Sequence, residues 1–156
     1  MTKAQQQIGK HGQELAANAL RAIGVEMVEQ IGTPVILIPT KGSSHIFTVI
    51  WGEKVSGDHR GILPGGRSVL AETKTILDRN LRWSDLRDHQ PERLSLHNEL
   101  GGLSLLVWVH HSGVYIMQWP VFGFERGKSL SPMSALLAAS ALDSIFRVAI
   151  ETDRSE

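Results

Sequence analysis

The stretch from Gly57 to Thr75 restricts the fold of this chain more than any other. Two extended segments, Gly57 to Leu63 and Ser68 to Thr75, flank the tripeptide Pro64-Gly65-Gly66. A Pro/Gly cluster between two such runs predicts a β-hairpin. With those three residues as the loop, numbers of facing residues sum to 130, so Asp58 stands opposite Glu72. Cβ atoms of facing residues lie about 4.5–5.5 Å apart on one side of a sheet. Lys74, two residues beyond Glu72, shares that side. The hairpin therefore predicts two carboxylates and one ammonium gathered at one place.

The rest of the chain predicts what surrounds the hairpin. Ala4 to Ile23 reads as a helix, with Ile8, Leu15, Ala19 and Ile23 on one buried face. Gly9 and Gly12 weaken its first turns and place its firm start near Lys10, and Gly24 ends it. Val35 to Ile38 and His45 to Trp51 read as strands around a Lys41-Gly42-Ser43-Ser44 turn. After the hairpin, Leu86 to Leu100 reads as a helix with Pro91 near its first turn, closed by Gly101-Gly102. Leu103 to His110 and Val114 to Trp119 read as strands, and Pro120 to Leu130 as a loop. Ser131-Pro132 opens a last helix whose apolar face is bracketed by Leu136, Leu137, Ser140 and Ile145. This order predicts a mixed α/β domain with a central sheet and flanking helices.

Composition narrows the setting. The 156 residues suit one domain, 1–156. The chain has no cysteine, which excludes disulfides and thiolate zinc sites and points to a cytoplasmic location. No apolar run approaches the roughly 20 residues that span a bilayer, and the first residues have no signal-peptide core. Lys plus Arg equals Asp plus Glu at 16 each, unlike a generic nucleic-acid binder. The charge is uneven, however. Lys54 to Arg93 holds eight basic and six acidic residues, and two of the six are Asp58 and Glu72.

Paired carboxylates repel unless a cation lies between them. Hard oxygen ligands suit magnesium, or manganese in its place. A neighbouring lysine can hold a water near phosphorus while the ion makes that water acidic, so the spacing fits metal-assisted phosphodiester hydrolysis. The same three residues also fit a solvated surface with a cross-strand ion pair. The setting favours the first reading: Val69, Leu70 and Ala71 make this strand look central, and charges on a central strand need a reason.

The ordered motifs extend the reading. Glu14, Thr33-Pro34, Asp58-His59-Arg60-Gly61, Glu72-Thr73-Lys74, His89-Gln90 and Gly101-Gly102 follow one another along Gly9 to Trp119. This set resembles the PD-(D/E)XK nuclease superfamily, and within it the RecU-type Holliday junction resolvases. Gly57 stands where the motif's name has proline, His59 where the resolvases have an aromatic residue, and Thr73 where they have alanine. The segment between Thr33 and Asp58 is short for the stalk such resolvases insert into a junction.

The resemblance implies a restriction-endonuclease-like fold and a magnesium-dependent endonuclease acting on branched or distorted DNA, in recombination, repair or phage DNA processing. A less selective nuclease, or a non-catalytic binding module, are the alternatives. Two symmetric cuts would need a homodimer. Asp58 and Glu72 would hold the metal with the carbonyl of Thr73, and Lys74 would position the water and the phosphate. Glu14 would complete the metal shell or orient a water, and Gln90 would contact phosphate or order Lys74. Arg60, Arg67, Arg79, Arg82 and Arg87 are able to track a DNA backbone; Trp83 could stack on an exposed base, but burial is the expectation. His89, His97, His110 and His111 match no zinc spacing, Gly65-Gly66 precedes no Gly-Lys-Ser/Thr, and Ser43 and Ser44 have no nucleophile-elbow context.

Overall fold

The structure, a computed structural model, describes residues 2–32, 35–39, 47–51 and 57–142, with backbone alone for 35–39 and 47–51. Thr33-Pro34, the Lys41-Gly42-Ser43-Ser44 turn and Ile145 lie outside the described residues. The elements run α1 (Lys3–Ala22), β1 (Glu26–Gln30), β2 (Val35–Pro39), β3 (Phe47–Trp51), β4 (His59–Ile62), β5 (Ser68–Thr75) and β6 (Leu81–Arg82). A 3-10 turn at Trp83–Asp85 follows, then α2 (His89–Glu99), β7 (Leu103–His110), β8 (Gly113–Gln118), β9 (Ser129–Leu130) and α3 (Pro132–Ser140). The main sheet has the order β1-β4-β5-β7-β8, which puts β5 at its centre.

The hairpin forms in the expected register: His59 faces Ala71, Arg60 faces Leu70, Gly61 faces Val69 and Ile62 faces Ser68. Leu63 N–H donates to Arg67 C=O at 2.9 Å and Gly66 N–H to Leu63 C=O at 2.9 Å, closing a loop of Pro64, Gly65 and Gly66. Gly65 and Gly66 take φ of +84° and +87°, which side-chain-bearing residues resist. β5 then pairs with β7 in parallel. A parallel neighbour requires a long crossover, and the segment containing α2 supplies it. Both faces of the sheet are consequently covered, and β7 alternates its buried residues between them. Leu105 and Val107 pack with Ala16, Leu20, Val69 and Ala71 under α1. Leu106 and Trp108 pack with Leu94, Leu81 and Leu86 under α2.

Several expectations are corrected. Helix α1 starts at Lys3, not near Lys10, because Thr2 and Gln5 form a reciprocal capping box. Its buried residues are Gly12, Ala16 and Leu20, so the face is rotated from the expected set: Ala19 and Ile23 pack at the edge of the same core, and Ile8 is 46% exposed. Gly12 explains the rotation: a Cβ there would lie 1.9 Å from Thr75 Oγ1, so the helix sits closer to β5 than any larger residue permits. Strand β1 has no apolar alternation to announce it, because Glu26-Met27-Val28-Glu29-Gln30 is polar, as an edge strand can be. β6 and β9, two residues each, pair only through tertiary structure. Helix α2 starts at His89 rather than Leu86, whose backbone is extended at ψ 137° after the 3-10 turn. In α3 the buried residue is Ala135, while Leu136 and Leu137 are 52% and 67% exposed. Among the described residues no helix is long and apolar enough to cross a membrane.

Candidate active site

β5 delivers Glu72 and Lys74 to the side of the sheet that faces α2, between Leu70 and Ile76, which belong to the apolar cluster there. Glu72 is 2% exposed. A carboxylate so deeply placed is costly unless its oxygens are satisfied, and here each is. Oε2 accepts from Gly57 N–H at 3.2 Å, and Oε1 lies 3.1 Å from Lys74 Nζ and accepts from Gln90 Nε2. Gln90 Oε1 in turn accepts from Lys74 Nζ at 2.9 Å and from Arg87 N–H at 2.8 Å. Glu72, Lys74 and Gln90 therefore close a three-membered ring of polar interactions. The first turn of α2 supplies Gln90, whose side chain is buried toward β5.

Asp58 stands where β4 begins, and there the ladder changes. Its N–H donates to Ala71 C=O at 2.8 Å, and its Oδ2 accepts from Thr73 N–H at 2.8 Å. Asp58 grips β5 as Glu72 grips the residue before Asp58. In a strand, a residue's N–H and C=O point to the same neighbour. Thr73 N–H points to Asp58, so the Thr73 carbonyl is directed to the same side, past the end of β4. Two carboxylates and one carbonyl thus converge at the end of the hairpin.

The electrostatics follow from this placement. Burial pushes the Glu72 carboxyl above its usual range, and the Asp58 charge pushes it further; Lys74 and the Gly57 N–H oppose both. An oxygen-rich, net-negative cluster with one partly compensated carboxylate has the donor chemistry of a hard divalent cation such as magnesium or manganese. No group of three or more His, Asp or Glu that could hold a metal occurs among the described residues, so any ion here would rely on two carboxylates, the strand carbonyl and waters.

The remaining expected residues lie elsewhere. Glu14 is exposed on α1, on the opposite side of the sheet, where it lines a cavity of about 380 Å³ with Gln13, Gln30 and His59. His59, read in the sequence only as a stand-in for an aromatic residue, is 2% exposed, and its Nδ1 lies 3.3 Å from Thr73 Oγ1. Burial lowers its pKa, partly opposed by Asp58. His59 thus braces the residue between Glu72 and Lys74 from behind, a role that its position opposite Ala71 would have revealed. Trp83 is half-buried rather than buried, and packs against Trp119 at 5.8 Å and Phe124 at 5.5 Å between centroids. His110 Nδ1 pairs with Ser112 Oγ at 2.7 Å, in keeping with a strand end and turn.

The five-stranded mixed sheet with helices on both faces is a fold shared with a solved structure. Among solved structures the chain is similar to Hjc, a Holliday junction resolvase from the archaeal hyperthermophile Archaeoglobus fulgidus. The TM-score is 0.55 at 11% sequence identity, covering 86% of this chain and 98% of that one. No family model and no curated protein matches the chain.

Proposed function

We propose that this chain is a metal-dependent endonuclease that hydrolyses phosphodiester bonds in DNA, with branched DNA such as a four-way junction as its substrate. The observation that carries the reading is the buried Glu72–Lys74–Gln90 ring set beside Asp58 at the end of the central hairpin. A surface ion pair needs no such burial, and a packing role would be served better by apolar residues of similar volume. The likeness to Hjc supports the branched-DNA part.

Asp58, Glu72 and the Thr73 carbonyl would hold magnesium or manganese, which supplies positive charge to the phosphodiester and acidity to an attacking water. Lys74 has an ammonium fixed on two oxygens, so it arrives at the phosphate already oriented and orders the water beside it. Gln90 is a positioning residue: it holds Lys74 and Glu72 at once, and its carbonyl oxygen is itself held by the Arg87 amide. Glu14, on the far side of the sheet beside His59, takes no part in this constellation. We read 1–156 as one nuclease domain, acting in the cytoplasm as a homodimer, since paired cuts need two sites.

The test is incubation with a labelled four-way junction and a matched duplex, each with and without magnesium. Cleavage of the junction in magnesium, and of neither DNA without it, is the expected result. Equal cleavage of both DNAs would leave a less selective nuclease. No cleavage of either in magnesium or manganese would overturn the reading.

A further inference from the structure

A second concavity adjoins the site. A basin of about 980 Å³ opens between the 3-10 turn, the start of α2 and the segment leading into β9. Pairing of Leu81 with Leu130 and of Arg82 with Ser129 brings these distant segments together. Arg82, Arg87, Arg126 and Lys128 line the basin, with Asp88 as the acidic residue among them and Trp83 contributing an aromatic surface. The cations are weakly compensated. Arg126 approaches Asp88 only to 3.9 Å, with the two side chains 83% and 99% exposed, and such pairs contribute little. Nearby Asp85 is engaged by Arg79, whose two guanidinium nitrogens each lie 2.8 Å from a carboxylate oxygen. The indole of Trp83 rests on Trp119 and Phe124, which fixes its plane. The basin also touches the site, because the Arg87 amide holds the Gln90 oxygen that receives Lys74.

We propose that this basin binds one unpaired nucleotide of the DNA strand adjoining the cleaved bond, with its phosphate among the four cations and its base against Trp83. The inference rests on the nuclease reading for its biological setting, though not for its test. Three features select this occupant. The net positive rim calls for an anion. The basin is a concavity of a size that admits a small group, whereas the backbone ridge of a duplex would meet only the rim. A cationic track beside an aromatic platform is the chemistry of single-strand binding, where each base stacks without regard to its identity.

The experiment measures equilibrium binding of a short labelled oligothymidylate, a duplex of the same length and inorganic polyphosphate, in EDTA and over a range of salt. The proteins are wild type, the double variant Arg126→Gln/Lys128→Gln, and Trp83→Leu, which keeps an apolar side chain and removes the ring. Wild type should favour the single strand over the duplex. The double variant should bind the single strand at least about tenfold more weakly, and its log–log salt slope should fall by about 0.7 for each phosphate that the variant no longer neutralises. Trp83→Leu should weaken oligothymidylate binding and leave polyphosphate binding unchanged. Preference for the duplex, or single-strand binding unaltered in the variants, would overturn the proposal. If melting curves show the double variant unfolded, Lys128→Gln alone carries the test through its slope. Because EDTA removes the metal, failure here is distinct from failure of the nuclease reading, which is read from cleavage in magnesium.

Discussion

The two faces of β5 are built on opposite terms. The face toward α1 presents Val69 and Ala71 to Ala16 and Leu20, and brings Thr75 against the bare Cα of Gly12. The face toward α2 presents Leu70, then Glu72 and Lys74, then Ile76. The first face is close packing of small groups, where volume alone decides the fit. The second places a charged pair within an apolar cluster, where every oxygen must be satisfied by a named donor. One strand therefore carries a face optimised for packing and a face whose stability depends on a cation or on hydrogen bonds. The contrast teaches that the charges are not a tolerated surface accident: the molecule commits a glutamine, a backbone amide and a lysine to keeping one carboxylate inside.

Substitutions on each face test the contrast, and Lys74→Ala has the largest expected effect. It should retain DNA binding, which comes from many phosphate contacts, while cleavage falls by about 10²–10⁴-fold, the usual range for one positioned proton-handling group. A fall below about tenfold, roughly 1.4 kcal/mol of barrier, would remove Lys74 from the chemistry and return the α2 face to a structural role. Cleavage kinetics beside a binding isotherm separate the two.

On the other face the expected cost is in stability. Gly12→Ala should gain up to about 1 kcal/mol of helix propensity yet lose more to overpacking against Thr75, which costs about 1–3 kcal/mol. The melting temperature should fall, and Thr75→Gly should recover much of the loss in the double variant. If Gly12→Ala raised the melting temperature, the packing account of the α1 face would be wrong.

Asp58→Asn makes a smaller change with an unusual sign. It removes the charge that helps push the Glu72 carboxyl up and keeps an acceptor for the Thr73 amide. Without metal the variant should be as stable as wild type or more so, while cleavage disappears. Magnesium should raise the melting temperature of wild type through preferential binding to the folded state, and do so less in the variant. Equal magnesium responses with cleavage retained would refute the assignment of Asp58.

The smallest effect concerns His97, whose pKa is lowered by burial and by Arg67 and whose ring contacts Ser104 Oγ at 2.9 Å and Ser68 Oγ at 3.0 Å. Its folded pKa lies below its unfolded value near 6.5, so the unfolded chain binds more protons in that range. Its contribution is fully present above the unfolded pKa and is lost progressively as pH falls toward the folded pKa. Urea unfolding from pH 7.5 to 5 should show a decline that His97→Gln flattens; an unchanged slope would remove His97 from the acid response.

Much of the hairpin and its charges is legible in the sequence, because the causes are local. Pro64-Gly65-Gly66 set the loop and the loop set the register from Ile62 to His59; Asp58 lies just past that ladder and does not face Glu72 as a paired residue, its N–H bonding Ala71 C=O and its Oδ2 the Thr73 amide. Lys74 followed by strand periodicity. Gln90 entered only through resemblance, because no periodicity links it to Glu72 across 18 residues. Glu14 was placed by the same route, and lies instead on the far side of the sheet beside His59.

The amino-acid order alone determined the hairpin, its register, the Ser131 cap and Pro132 start of α3, and the pairing of Glu72 with Lys74 on one strand. Each depends on backbone preferences or on spacings within a few residues, which act before any long-range contact forms. Tertiary structure alone decided which face of α1 is buried, that polar Glu26–Gln30 becomes an edge strand, that Leu81–Arg82 meets Ser129–Leu130, and that a glutamine from α2 encloses Glu72. Those outcomes turn on the distance of closest approach between elements remote in sequence: a missing Cβ at Gly12 on one face, an unsatisfied carboxylate on the other. Neither quantity exists until the sheet and its two helices have come together.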